Sequence, residues 1–226
     1  MNVVSEALTW LNDPLNWQGK SGIISLLIDH LWMSLLATLA AIVFALPLGV
    51  YLALSRRGAN LTVIATNTSR AFPTLALLTI FAISPIGFGN SATVLAVAIF
   101  AVPPILTNVY VGMREVDPDV LDAARGTGMS PARVTGSVQL PLAVPTIAAG
   151  IRTAAVQVVA TVPLAALVGG GGLGVIIVTG MANQSYGKAL AGGVLVAVVC
   201  LALEGLLALA QRALTPKSLR TAPSSV

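Results

Sequence analysis

Side chains that could do chemistry are scarce in this chain, and four of its eight acids lie between Glu115 and Asp122. Asp119 and Asp122 lie about one helical turn apart, as acids do in the metal site of membrane phosphatidyltransferases, but no Asp follows Asp122 to complete such a site. The single Cys excludes a cysteine-built metal site, and neither HExxH nor GxSxG occurs. We therefore expect no metal site and no catalytic residue.

Three glycines, Gly169, Gly171 and Gly174, fit the GxGxxG pattern of dinucleotide-binding sites. Such a site requires a strand before the glycines and an acid about 20 residues after them. Here an apolar span precedes them and the next acid is Glu204. We therefore expect a flexible loop. The phosphate-binding pattern GxxxxGK[ST] is also absent, so ATP would have to be hydrolysed by another chain.

The acidic segment predicts a short helix. The sequence Asp117-Pro118-Asp119 supplies an N-cap, a proline for the first helical position and an acid for the positive end of the helix dipole. The glycines within residues 126–128 end this helix. The small pair Ala123-Ala124 would let another surface approach it closely.

A second short helix is predicted directly after the first. Ser130-Pro131 repeats the start of a cap followed by proline, Val134 and Val138 share one face, and Leu140-Pro141 ends the helix. The result is a compact helix–turn–helix between two apolar spans. Such a geometry implies a docking element for a soluble partner.

The composition places the rest of the chain in a membrane. Hydrophobic residues make up 56% and charged residues only 9%, whereas soluble chains carry roughly 25% charged residues. A bilayer core requires about 20 apolar residues per helix. We predict an all-α polytopic protein with five transmembrane helices, at residues 31–55, 61–83, 91–112, within 143–168, and at about 189–210.

Basic residues predict the orientation, because cytoplasmic loops collect Lys and Arg. Only Lys20 and Lys188 fall on one side. Eight fall on the other, which we expect to be cytoplasmic: Arg56, Arg57, Arg114, Arg125, Arg133, Arg212, Lys217 and Arg220. The N-terminus is then outside and the C-terminus inside. The net charge of +4 reflects this topology, and we expect no nucleic-acid partner.

The predicted organisation has three parts. Residues 1–30 form an extracellular-side segment with an interfacial helix, or a disordered polar start over the first few residues. Residues 31–212 form the transmembrane domain, with a cytoplasmic loop at 113–141. Residues 213–226 form a cytoplasmic tail. His30, beside Trp32, is interpreted as a residue of the membrane interface.

Polar residues and prolines within spans are candidates for a transport pathway, because irregular backbone in a membrane lines a cavity or packs on protein. Arg152 and Glu204 are candidates for an ion pair, as a gate or as a structural contact; Arg70 and Arg212 are alternative partners for Glu204. The pathway candidates are Arg70, Pro73, Thr74, Gln157, Thr161 and Pro163.

The acidic segment carries a longer motif. Asp122-Ala123-Ala124, three residues, Gly128, nine residues and Val138-Gln139-Leu140-Pro141 resemble the EAA loop of binding-protein-dependent ABC importer permeases. The chain differs by Asp for Glu at 122 and Val for Ile at 138. The resemblance covers about residues 30–210 and implies the type I permease fold.

The resemblance implies that this loop couples the permease to an ATPase. The residues concerned are Asp117, Val120, Leu121, Asp122, Ala123, Ala124, Arg125, Gly128, Val138, Leu140 and Pro141. It also implies a cytoplasmic ATPase dimer, an extracytoplasmic substrate-binding protein, and a second copy or a sister permease. ATP and magnesium would bind the ATPase and no cofactor this chain, which would lie in a prokaryotic cell membrane.

Within that family the chain is most similar to osmoprotectant permeases, which import glycine betaine, choline, carnitine or proline betaine. The similarity lies in residues 104–118, 123–126, 150–155 and 171–174. A permease for methionine or another amino acid is the alternative within the family. A secondary transporter or a channel is the alternative outside it, but either would leave the capped cytoplasmic helix pair unexplained.

Overall fold

The computed structural model of the chain describes residues 2–55 and 73–214, and all regular secondary structure in these residues is helical. The all-α prediction is therefore confirmed for this part of the chain. The helices are α1 (Val3–Asn12), α2 (Ile23–Leu54), α3 (Thr74–Ile83), α4 (Asn90–Arg114), α5 (Pro118–Gly126), α6 (Pro131–Val134), α7 (Leu140–Thr161), α8 (Gly174–Ala182) and α9 (Tyr186–Leu214).

Four stretches of described helix are long and apolar enough to cross a bilayer: Ile23–Leu54, Asn90–Arg114, Pro131–Val168 and Tyr186–Arg212. The first begins eight residues before the predicted start at residue 31. Of the predicted span 61–83, the structure describes Pro73 and the 10-residue helix α3 that follows it. Residues 56–72 lie outside the described part.

The core of the bundle forms where α2 and α4 pack along most of their lengths. Ala37, Ala41 and Ala45 recur every four residues on one face of α2 and are fully buried. Gly49 continues this face, and a Cβ there would lie 2.7 Å from Cβ of Val109 on α4. Small side chains therefore let the two backbones approach closely, which is how helices associate in membranes.

The next contact of the bundle joins α4 to α7. A Cβ at Gly150 would collide with the side chain of Asn108, so only glycine fits at this crossing. Helix α9 packs on α7 and α8, and α1 packs on α9. The chain start forms the helix Val3–Asn12, and its placement at a membrane interface stays a prediction.

The prediction that Leu140-Pro141 ends a helix is wrong. A π-helical turn at Thr135–Gln139 joins α6 to α7, so the helical path runs on from Pro131 into the long apolar helix. The N–H of Leu140 donates to the carbonyl of Thr135, five residues earlier. The wider π turn accommodates Pro141, which cannot donate a helical hydrogen bond.

Candidate functional site

Helix α5 forms as its sequence predicts, from hydrogen bonds within its own segment. Oδ1 of Asp117 accepts from the N–H of Asp119 at 2.9 Å, and Pro118 occupies the first turn. At the other end Gly128 adopts a φ of +84°, and its N–H donates to the carbonyl of Arg125 at 2.9 Å. The positive φ at Gly128 explains the glycine there.

The surface of α5 is open, because none of its residues is buried. Asp122 and Arg125 form an ion pair at 2.6 Å with side chains 70% and 60% exposed. Ala123 is exposed beside them, and Val120 is an exposed apolar side chain. Leu121 alone packs partly against the main core. A short capped helix with small, apolar and charged exposed side chains is suited to docking.

The remaining motif residues tie this region to the bundle. Val134 is buried, and Val138 and Leu140 are half-buried, whereas Pro141 is exposed. The buried side chain of Gln139 donates from Nε2 to the carbonyl of Met113, near the end of α4, at 2.8 Å. The sequence gives no signal for this bond, because the motif accepts any residue at position 139.

A groove of about 420 Å³ opens at the base of α5, between the end of α4 and the first half of α7. Its walls combine two acids with apolar and small side chains. The lining residues are Gly112, Glu115, Val116, Asp117, Val120, Leu142, Pro145 and Thr146. The groove extends the exposed surface of α5 towards the bundle.

Polar side chains join α9 to α7. Nε of Arg152 lies 3.4 Å from Oε1 of Glu204, and the side chains are 30% and 44% exposed. Nε2 of Gln211 donates to the carbonyl of Pro145 at 3.1 Å. The structure thus brings Arg152 and Glu204 together, and their role as a gate or as a structural contact stays a prediction.

The pathway candidates fall into two groups. Pro73, exposed, precedes α3, and the half-buried Thr74 begins it; Arg70 lies outside the described residues. Gln157 is exposed near the end of α7, followed by the half-buried Thr161 and Pro163. Oγ1 of Thr161 donates to the carbonyl of Gln157 at 2.7 Å. Helix α3 packs against the 3₁₀ helix Val162–Val168, so the segment after α7 lies beside α3.

The glycine-rich residues 169–174, here called the glycine loop, are hydrogen-bonded to the start of α4, and the flexibility expected of this loop stays a prediction. The N–H of Gly171 donates to Oδ1 of Asn90 at 2.8 Å, and the N–H of Gly89 donates to the carbonyl of Val168 at 2.9 Å. These bonds join distant parts of the sequence, so local composition does not reveal them.

The interpretation of His30 as an interface residue is wrong. Its side chain is fully buried, and Nε2 lies 3.0 Å from the carbonyl oxygen of Val159. The neighbouring Trp32 is 58% exposed, so the two residues point to different surroundings. Among the described residues, no three metal-binding side chains cluster together.

Comparisons with known proteins identify the family of this chain. Residues 45–216 match the family described as binding-protein-dependent transport system inner membrane component. The choline transport system permease protein OpuBB of Bacillus subtilis (strain 168) is 36% identical over 192 residues, which are 85% of this chain and 88% of that protein. The osmoprotectant import permease protein OsmW of Salmonella typhimurium is 32% identical over 200 residues, covering 87% and 93%.

A solved structure agrees at the level of the fold. The inward-facing MetNI methionine ABC transporter superposes with a TM-score of 0.72 at 22% identity, covering 86% of this chain and 96% of that chain. Half or more of the chain matches the family, and relatives exceed 30% identity over most of their length. The chain therefore belongs to the family of binding-protein-dependent transport system inner membrane components, the membrane-embedded permease subunits of ABC importers.

Proposed function

We propose that this chain forms half of the translocation pathway of an ATP-driven importer for an osmoprotectant such as glycine betaine, choline, carnitine or proline betaine. The observation that carries the substrate class is the similarity to named permeases for choline and for osmoprotectants, at 36% and 32% identity over more than four fifths of the chain. The likeness to the methionine transporter supports only the fold, because identity there is 22%.

In this proposal α5 is the element through which ATP hydrolysis drives the permease. The partner is a cytoplasmic ATPase dimer, which holds ATP and magnesium, while this chain binds no cofactor. The exposed Ala123, the Asp122–Arg125 pair and the groove at the base of α5 offer a surface for it. Closure of the ATPase would move α5 and bias the spans between two states.

The proposed topology has five spans. In addition to the four described spans, residues 61–83 form a further span, and α3 is the helix described within it. The excess of basic residues on the α5 side favours the cytoplasm for that side and the outside for the N-terminus. Residues 1–30 then lie outside, the transmembrane domain spans 31–212 with its coupling loop at 113–141, and residues 213–226 form a cytoplasmic tail.

A complete pathway requires a second permease, either another copy of this chain or a sister protein. An extracytoplasmic binding protein delivers the substrate to the glycine-loop side. We propose that the pathway is lined by Arg70, Pro73, Thr74, Gln157, Thr161 and Pro163. Only 5% of residues are aromatic, so an aromatic cage for quaternary ammonium is better placed in the binding protein.

Reconstitution tests this proposal. The chain is co-expressed with its ATPase and its binding protein, purified as a complex and placed in proteoliposomes. We expect ATP-dependent uptake of labelled glycine betaine, choline or carnitine, and no uptake without ATP. Uptake of methionine alone would overturn the substrate class, whereas uptake independent of ATP would overturn the coupling to an ATPase.

A further inference from the structure

The carbonyl of Val159 has lost its normal partner in the helix. In an α-helix this oxygen accepts from the N–H four residues later, but that residue is Pro163, which has no N–H. The neighbouring N–H of Val162 is already used by the carbonyl of Val158. Val159 is 1% exposed, so water is not at hand to replace the missing donor. A buried carbonyl in this position requires a donor from elsewhere.

His30 of α2 supplies that donor. Its Nε2 lies 3.0 Å from the carbonyl oxygen of Val159, across 129 residues of sequence. Because a carbonyl oxygen only accepts, Nε2 carries the proton and Nδ1 is left as an acceptor. Nδ1 is buried without a hydrogen-bond partner among the described residues. Within these residues the ring therefore makes one hydrogen bond, to the backbone of α7.

The hydrogen bond acts where α7 ends and the chain changes direction. Thr161 is the last residue of α7, and the 3₁₀ helix Val162–Val168 follows and leads into the glycine loop. This loop also rests on His30, since a Cβ at Gly172 would lie 3.4 Å from the Cα of His30. His30 of α2 therefore lies beside the backbone near the end of α7 and close to Gly172 of the glycine loop.

We propose that His30 is a positioning residue for translocation. Its Nε2–H replaces the missing amide of Pro163 and holds the end of α7 in the geometry that presents Gln157 and Thr161 to the substrate. The inference rests on the proposed pathway role of Gln157 and Thr161. It adds a residue that touches no substrate and acts through the backbone of α7.

The test compares four variants of the whole complex in proteoliposomes: His30→Leu, His30→Gln, Pro163→Ala and the double variant His30→Leu with Pro163→Ala. The readout is substrate transported per ATP hydrolysed. We expect His30→Leu to lower this ratio roughly tenfold, because it leaves a buried carbonyl unpaired. His30→Gln keeps a side-chain N–H donor, and we expect it to stay within about twofold of the wild type.

The double variant isolates the hydrogen bond itself. Alanine at position 163 restores an N–H for the carbonyl of Val159, so His30 becomes redundant there. Adding His30→Leu to the Pro163→Ala variant should therefore change the ratio by less than about twofold. A tenfold loss in both backgrounds would overturn the proposal, because the histidine would then act on something other than this carbonyl.

The ratio separates positioning from folding, since a smaller amount of folded complex lowers transport and ATP hydrolysis together. If His30→Leu assembles only in the Pro163→Ala background, the rescue supports the replacement of the amide. Failure to assemble in both backgrounds, or a wild-type ratio for His30→Leu alone, overturns the proposal. If the wild-type complex carries no osmoprotectant, the proposed substrate class fails, and the ratio is measured with the substrate it does carry.

Discussion

Helix α5 and the end of α7 are built in opposite ways. The hydrogen bonds that begin and end α5 all lie within residues 117–128, and none of its nine helical residues is buried. Near the end of α7 the carbonyl of the buried Val159 has no amide donor at Pro163, and it is instead hydrogen-bonded by His30, 129 residues away. The first is held by local hydrogen bonds, and Leu121 alone of its residues packs partly against the main core. The second takes its shape from the helices around it.

This difference fits the proposed function. There α5 would keep its structure while it moves with the ATPase, and the segment proposed to line the pathway would respond to a shift of its neighbours. Gln139 lies between the two regions, because its side chain bonds the carbonyl of Met113 near the end of α4, shortly before α5, while its backbone leads into the start of α7. The comparison predicts that changes on α5 alter docking and that changes along α7 alter stability and transport.

The largest effect should come from Ala123→Trp. The bulky side chain would lie on the exposed face of α5 and keep the ATPase from approaching, weakening association by about a hundredfold. The thermal midpoint of the permease alone should not change, because Ala123 is exposed. Association is measured by titrating the purified ATPase. Ala182→Trp, exposed at the end of α8, is the matched control. Association unchanged by Ala123→Trp would break the assignment of α5 as the docking element.

Gly150→Leu should act on the opposite side of the comparison. The side chain would collide with Asn108 where α4 crosses α7, and we expect a loss of about 2–3 kcal/mol in the free energy of unfolding. Gly193→Leu is the control, because a Cβ there meets no atom within 4 Å. Thermal unfolding in detergent measures both. Equal midpoints for the two variants would contradict the close crossing of α4 and α7.

Gln139→Leu sharpens the comparison at the junction. It leaves the buried carbonyl of Met113 without its donor and should lower the free energy of unfolding by about 1–2 kcal/mol. We also expect less transport per ATP, because the end of α4, which leads into α5, is then less firmly joined to the start of α7. Gln18→Leu, at an exposed position, serves as the control. A change in stability with an unaltered transport ratio would show that the junction does not transmit movement.

The smallest effect should come from the Arg152–Glu204 pair, whose side chains are partly exposed. Arg152→Glu or Glu204→Arg alone should lower transport by about two- to fivefold, and the two together should restore it. Uptake into proteoliposomes measures all three variants. Additive losses in the double variant would mean that the two side chains do not act as a pair. We expect restored uptake in the double variant whether the ion pair gates the pathway or only supports the bundle.

The sequence was most informative where structure depends on neighbours in the chain. The caps of α5 follow from Asp117-Pro118 and the glycines after residue 125, and both ends form as predicted. The apolar runs predicted the four described helices that are long and apolar enough to cross a membrane, although the first begins at Ile23. The helix end expected at Leu140-Pro141 was wrong, because the π turn at Thr135–Gln139 joins the preceding helix directly to α7.

Contacts between residues that are far apart in the sequence could not be predicted. For Glu204 the sequence offered three arginines as partners, and packing of α9 on α7 places Arg152 within 3.4 Å of it. The bond of Gln139 to Met113 carried no sequence signal, because a buried polar side chain looks the same as an exposed one in a string of residues. The periodicity of α2 alone did not show which of its polar residues faces inward.

The sequence by itself determined that the chain lies in a membrane, that a capped helix projects between two spans, and that the chain resembles an importer permease. Composition, caps and motif spacing are local properties, so they can be recognised in the sequence without knowledge of the fold. Only the tertiary structure decided that His30 is buried and that it completes the backbone broken by Pro163. A missing amide can be read from a proline, but its replacement depends on which helix packs against it.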